Sequence, residues 1–233
     1  MRPLFFLIAI LFLFSCKKGT DETPDNVNGL KGKVKTITET DYSTVLINGT
    51  IQKNVQLGIT KYKYDEDGNT TEQFSYFGDG RLDYRLVYFY TDKNNFKAVQ
   101  YGVNGQIQIN YVGKSDGKGN GLESNAFEPD GTLTYRVENK YNSNNQLIER
   151  WDFDCEKAVE VQKTICKFEY DSNGDLSKEI EYDHNGKVRC TISYSYREYD
   201  NKKNWTVGIR SYTYSYKTDT ETYLNERSIE YFQ

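Results

Sequence analysis

Turn-forming dipeptides recur along most of this chain: Asp67-Gly68, Asp79-Gly80, Asn104-Gly105, Asp130-Gly131, Asn173-Gly174 and Asn185-Gly186. Asn94-Asn95 and Asn144-Asn145 are weaker versions. Asp-Gly and Asn-Gly suit two-residue hairpin turns, whose central residues both need positive φ. Twelve residues separate Gly68 from Gly80, and twelve separate Gly174 from Gly186. That is one strand plus one turn. Strands joined this way run antiparallel, so the spacing predicts a meander of about 13–14 strands.

The segments between turns alternate as strands do. Leu133, Tyr135 and Val137 sit at every second place, as do Val188, Cys190, Ile192, Tyr194 and Tyr196. Ile180 and Tyr182 alternate with Glu179 and Glu181. Period two marks a sheet with one buried face. Tyr212, Tyr214 and Tyr216 fall out of phase with Val207 and Ile209, which predicts a bulge or two covered faces there. The 21 Tyr and 12 Phe against 1 Met and 3 Pro favour strands over helices and exclude a disordered chain. The expected fold is all-β, a curled single sheet or a loose barrel; both remain open, since sheets this long curl or split.

The N-terminus carries different information. Arg2 precedes an apolar run, Leu4 to Phe14, too short for a membrane helix and suited to a signal-peptide core. Leu13-Phe14-Ser15-Cys16 resembles the lipobox of bacterial lipoproteins. That resemblance implies removal of residues 1–15 and acylation of Cys16, which would hold the protein on a bilayer. Residues 16–28 have almost nothing to bury and are expected to form a disordered tether. The Asp21-Glu22 pair is weakly like a surface-export signal, and a solvated linker explains it better. Residues 29–233 then form one β domain. The net charge is −4, and loss of Arg2 with the leader would make it −5. No basic patch stands out in the sequence, so nucleic acid is not an expected partner.

Several segments carry a family resemblance. Tyr62-Lys63-Tyr64-Asp65-Glu66-Asp67-Gly68, Phe168-Glu169-Tyr170-Asp171-Ser172-Asn173-Gly174 and Tyr182-Asp183-His184-Asn185-Gly186 resemble the YD repeats of Rhs-type proteins. Tyr199-Asp200-Asn201-Lys202-Lys203-Asn204-Trp205-Thr206 resembles the last repeat of small YD-repeat lipoproteins, with Lys203 where Gly is usual. The resemblance implies a β-rich array and no assigned activity. In composition the chain also resembles porin-like-fold lipoproteins.

Candidate chemistry is sparse. The single histidine, His184, lies in a turn copy and reads as turn decoration. Cys155, Cys166 and Cys190 match no zinc signature, and no cofactor is expected. Asp171-Ser172-Asn173-Gly174-Asp175 clusters oxygens as a calcium loop might, but a hairpin turn explains it better. Most carboxylates are expected on the wet face or in turns. In an oxidising compartment Cys155 and Cys166, close in sequence, are the expected disulfide, with Cys190 a buried thiol. No catalytic residue is assigned. The expected function is an envelope-anchored module that binds a glycan or protein partner, or serves structure, on the periplasmic or surface side of an outer membrane. The alternative is a carboxylate-dependent enzyme acting on glycans.

Overall fold

The computed structural model describes residues 30–116, 120–156 and 159–233; Cys16, the leader and the tether lie outside them. Its elements are β1 (Val34–Ile47), β2 (Thr50–Tyr64), β3 (Thr70–Phe77), β4 (Leu82–Asp92), β5 (Asn95–Gly102), β6 (Ile107–Ser115) and β7 (Gly121–Phe127). They continue as β8 (Leu133–Tyr141), β9 (Leu147–Glu156), β10 (Val159–Tyr170), β11 (Leu176–Tyr182), β12 (Val188–Tyr199), β13 (Trp205–Tyr214) and β14 (Thr220–Tyr231). Every strand pairs antiparallel with its sequence neighbour, and β1 pairs with β14, so the meander closes into a barrel. Closure removes the two wet edges that an open sheet of this length would leave. The seam is regular, with Ile37 opposite Ile229 and Glu39 opposite Arg227.

Most of the turns differ from the two-residue form that the dipeptides suggest. Eight turns begin at Asp65, Phe77, Gly102, Glu128, Asn142, Asp171, Asp183 and Asp200 and share one hydrogen-bond pattern. The fourth residue's N–H donates to the first residue's carbonyl, and the first residue's N–H donates to the fifth residue's carbonyl. Only the fourth residue has positive φ: Gly68, Gly80, Gly105, Gly131, Asn145, Gly174, Gly186 and Lys203. This is a type I turn closed by a left-handed residue, the three-residue hairpin loop. The one turn with two successive positive φ values is Asn48-Gly49, at 50° and 77°.

Turns alternate between two rims. At the near rim, where β1 begins, the turns starting at Asp65, Asn142, Asp171 and Asp200 are braced by the first side chain, whose Oδ1 accepts the N–H groups two and four residues on. Tyrosines tie the hairpins across this rim. Tyr90, Tyr141, Tyr170 and Tyr196 each donate a hydroxyl proton to the carbonyl that opens the preceding strand: Thr70 at 2.9 Å, Gly121 at 3.1 Å, Leu147 at 2.9 Å and Leu176 at 2.7 Å. Much of the tyrosine richness therefore serves the repeat.

Register fixes which side chains face the lumen. Leu86, Tyr88, Phe96, Ala98, Tyr111 and Ala126 form one apolar cluster on β4–β7. Ile37, Tyr62 and Tyr64 form another with Leu30 and Val34. On β11 the phase is the reverse of the expected one. Glu179 pairs with Ile192 and Phe168, facing inward, while Ile180 and Tyr182 face out. On β9, Asp152 faces in and Trp151 and Phe153 face out. Phe153 is still only 5% exposed, because Arg136 and Lys163 lie over its ring at 4.2 and 5.3 Å. Long cationic side chains cover apolar rings while keeping their charge in water.

The tyrosines of β13 also resolve. β13 pairs with β14 without a shift, so Tyr212 faces the lumen and Ile209 faces out, and both faces are covered. On the outside, the β1–β2 hairpin leaves the wall at bulges around Tyr42 and crosses back over β14. Lys53 of the hairpin pairs with Glu226 at 2.7 Å, and Arg197 donates to the Ile51 carbonyl at 3.1 Å. Outward-facing Ile209 and Leu224 are 7% and 6% exposed in this region.

The outer wall carries charge along its length. Glu72 bridges Lys63 and Arg85, Lys114 pairs with Glu123, and Lys178 with Glu169. A barrel that spans a bilayer presents an apolar outward band; here ion pairs interrupt the outer face, with Phe89 and Val112 exposed among them.

The expected disulfide does not form. Cys155, Cys166 and Cys190 are all buried, as thiols. Cys166 stands opposite Arg150, and Cys155 is five residues further along β9. Five residues of strand span about 16 Å, far beyond the roughly 7 Å Cα separation a disulfide tolerates. The link was expected from sequence proximity, but the register of β9 on β10 carries the two residues apart.

Candidate functional site

The inverted phase of β9 and β11 places charge inside the barrel. Arg150 Nε donates to Asp152 Oδ2 at 2.9 Å, and its Nη2 lies 3.6 Å from Glu179 Oε1 and 3.5 Å from Cys166 Sγ. Tyr135 donates to Asp152 Oδ1 at 2.6 Å and Tyr194 to Glu179 Oε2 at 3.1 Å. Asp152 and Glu179 are 8% and 6% exposed. Burial opposes the Arg150 charge, but Asp152, Cys166 and Glu179 outweigh it and hold the guanidinium protonated. A buried charge needs this pairing, because an unpaired one costs several kcal/mol.

Glu181, on the same face, lacks such a partner. Burial and then the like charge of Glu179 push its pKa up. Cys166, one strand over, is pushed up by burial as well.

A second polar cluster lines β13, β14 and β1. Arg210 Nη2 donates to Asp41 Oδ1 at 3.0 Å, and Asn225 donates to the same oxygen. Arg227 Nε donates to Glu39 Oε1 at 2.9 Å and its guanidinium stacks 3.5 Å from the Trp205 ring centre. Burial raises the Asp41 pKa despite Arg210. Yet 40% of the Asp41 side chain is accessible. Crowding by protein together with solvent access is what the wall of a narrow hollow gives.

The lumen is thus mixed: one large apolar cluster lies on β4–β7 and another around Phe168 on β9–β11, while the lumenal ion pairs stand on β9–β11 and on β13, β14 and β1. Six buried polar atoms have no hydrogen-bond partner among the described residues: Tyr64 OH, Gln73 Oε1, Asn120 Oδ1, Ser124 Oγ, Asn139 Oδ1 and Arg210 Nε. Buried polar groups are as a rule satisfied by protein, water or ligand. Gln73, Ser124, Asn139 and Arg210 stand on the inward face.

The donor atoms of Cys166, Glu179 and Glu181 lie within 4.8 Å of one another. Arg150 already contacts two of the three, so a guanidinium holds the position a metal ion would take. Glu179 and Glu181 project side by side from one strand, whereas glycoside hydrolysis needs carboxyls that flank the bond. Asp171 Oδ1 is used by its own turn, and Asp175 Oδ2 accepts from Tyr199 at 3.0 Å. His184 is exposed in a far-rim turn, 2.9 Å from Asn185 Nδ2. Sequence reasoning missed the lumenal network, reading its carboxylates as solvated.

No family model matches the chain, and no curated protein does. Among solved structures it is similar to a porin-like protein from Bacteroides uniformis, at 12% identity and TM-score 0.51, over 86% of this chain and 99% of that one. A porin-like protein from Bacteroides vulgatus aligns at 13% identity and TM-score 0.45, over 85% and 98%. The first likeness is one of fold.

Proposed function

We propose that this chain is an envelope-anchored binding module whose barrel lumen takes a small hydroxyl-bearing ligand, a glycan fragment being the first class to test. The mixed lining of the lumen carries the reading. Tyrosine rings offer stacking surface, and fixed carboxylate, guanidinium and hydroxyl groups among them offer directional hydrogen bonds, the usual make-up of a ligand site. Acylation of Cys16 and a place in the bacterial cell envelope belong to the same proposal and rest on the lipobox. The YD-repeat relationship is supported by the shared turn geometry at Asp65, Asp171, Asp183 and Asp200.

A glycan array on residues 30–233, repeated with Glu181→Gln and Arg210→Gln, tests the lumen. Binding lost in the variants while the circular dichroism is unchanged supports it; binding that ignores both variants sinks it. Glycan cleavage on the array would favour a hydrolase instead. Separately, Cys16→Ala should abolish lipid labelling and release the protein from membranes; a labelled, membrane-bound mutant ends the anchor reading.

A further inference from the structure

The fold assembles a cationic surface that the sequence disperses. Lys31 enters the near rim between the last strands: its N–H donates to Asn204 Oδ1 at 2.7 Å, and Asn204 Nδ2 donates to its carbonyl at 2.8 Å. Leu30, just before it, is 2% exposed. The Lys31 ammonium reaches the Lys203 carbonyl at 3.4 Å, and Lys202 lies against Gly32. Lys33 and Lys35 follow on the first residues of the seam and, like Lys202 and Lys203, are exposed. Five lysines thus share one sector of the near rim, although the 31–35 and 202–203 groups are far apart in sequence. Among the described residues none of the five is in an ion pair. Of the acids nearby, Asp175 lies within the field of Lys31 and accepts from Tyr199, Glu230 accepts from Thr36 at 3.0 Å, and Asp200 accepts from Tyr231 and its own turn amides. This concentration stands out in a chain of net charge −4.

The tether leaves from the same sector. Residues 17–29 link Cys16 to Leu30 and begin with Lys17-Lys18. Thirteen residues span at most about 45 Å, so an acylated Cys16 holds this rim within that distance of the bilayer. Clusters of four to eight basic residues beside a membrane anchor bind anionic headgroups.

We infer that Lys31, Lys33, Lys35, Lys202 and Lys203 form a docking surface for anionic phospholipid headgroups, which seats the barrel near-rim-down on its membrane. The choice of membrane rests on the lipid-anchor proposal; the surface itself does not. Docked this way, the far rim points away from the bilayer.

The test uses residues 16–233 carrying Cys16→Ser, so that no acyl chain contributes. Co-sedimentation is measured with vesicles of phosphatidylcholine alone and with vesicles containing about a third phosphatidylglycerol. The expected result is binding to the anionic vesicles only, lost near 0.5 M salt, where screening shortens to a few ångströms. Reversal of four lysines (K31E, K33E, K202E and K203E together) should weaken binding at least tenfold. Reversal of the far-rim pair Arg81 and Lys187, exposed beside the turns that begin at Phe77 and Asp183, should change it less than twofold. Equal binding to both vesicle types, no binding to either, or equal loss in both variants overturns the proposal. Lipid labelling of the wild-type chain reports on Cys16 independently. If labelling fails and sedimentation succeeds, the surface stands and the anchor falls.

Discussion

Eight turns of one geometry supply an internal control on backbone strain. Six carry Gly at the left-handed fourth position, one carries Asn145, and one carries Lys203 at φ 66°. A side chain there brings Cβ towards the following carbonyl and costs roughly 1–2 kcal/mol. Glycine removes that strain but adds freedom to the unfolded chain, offsetting about 0.4–1 kcal/mol. Lys203→Gly should therefore stabilise the barrel by about 0.5–1 kcal/mol. The turn's hydrogen bonds run through backbone and the Asp200 carboxylate, so none is lost. The reciprocal change is Gly186→Ala. A Cβ at Gly186 meets nothing within 4 Å, so crowding contributes nothing, and backbone strain less the same unfolded-chain offset sets the loss, about 0.5–1 kcal/mol. In a domain of this size 1 kcal/mol moves Tm by about 2–4 °C. Urea titrations and thermal melts of the two variants should bracket the parent. A destabilised Lys203→Gly, or a Gly186→Ala indistinguishable from the parent, would refute the claim that these turns hold the fourth residue left-handed under strain.

Other consequences follow from the hydrogen bonds and burial. Tyr170→Phe removes the bond to the Leu147 carbonyl and should lower stability by about 1 kcal/mol, read in urea; no change would mean that water replaces the tie. The thiols are buried, and burial pushes Cys190 up to about 11, so a polar alkylating reagent at pH 8 should label none in the folded domain and all three after unfolding without reductant. Two or fewer modified sites in the unfolded, unreduced protein would restore a disulfide. Glu181 has its folded pKa raised above 4.5, so its favourable contribution is present below that pH and is lost as pH rises through the folded value. Glu181→Gln should be more stable than the parent at pH 7, with the gap closing towards pH 4.5; a gap that grows on acidification would reverse the assignment.

What the sequence conveyed and what it withheld divide along a physical line. Periodicity and turn spacing are local, and they placed the strands: Cys190 to Tyr196 alternate as read, Val188 before them is exposed beside a register shift, and Lys203 takes the backbone conformation of the Gly it replaces. Phase is not local. Glu179-Ile180-Glu181 alternates equally well either way, and the hydrophobic choice puts Ile180 inside. The neighbours decide otherwise: Arg150 and Tyr194 give Glu179 its partners in the lumen, while Ile180 stays on the outer face. Because a strand's side chains share one phase, seating Glu179 inside brings Glu181 with it. This lumenal charge is then a consequence of pairing across β9 to β12, which no single segment encodes. The lysine sector has the same origin. Lys31 and Lys203 meet only because the barrel closes β1 onto β14 and Asn204 grips the incoming chain on both sides of Lys31. Closure therefore does two things with one seam: it completes the lumen between Arg227 and Glu39, and it gathers the cations beside the point where the tether departs.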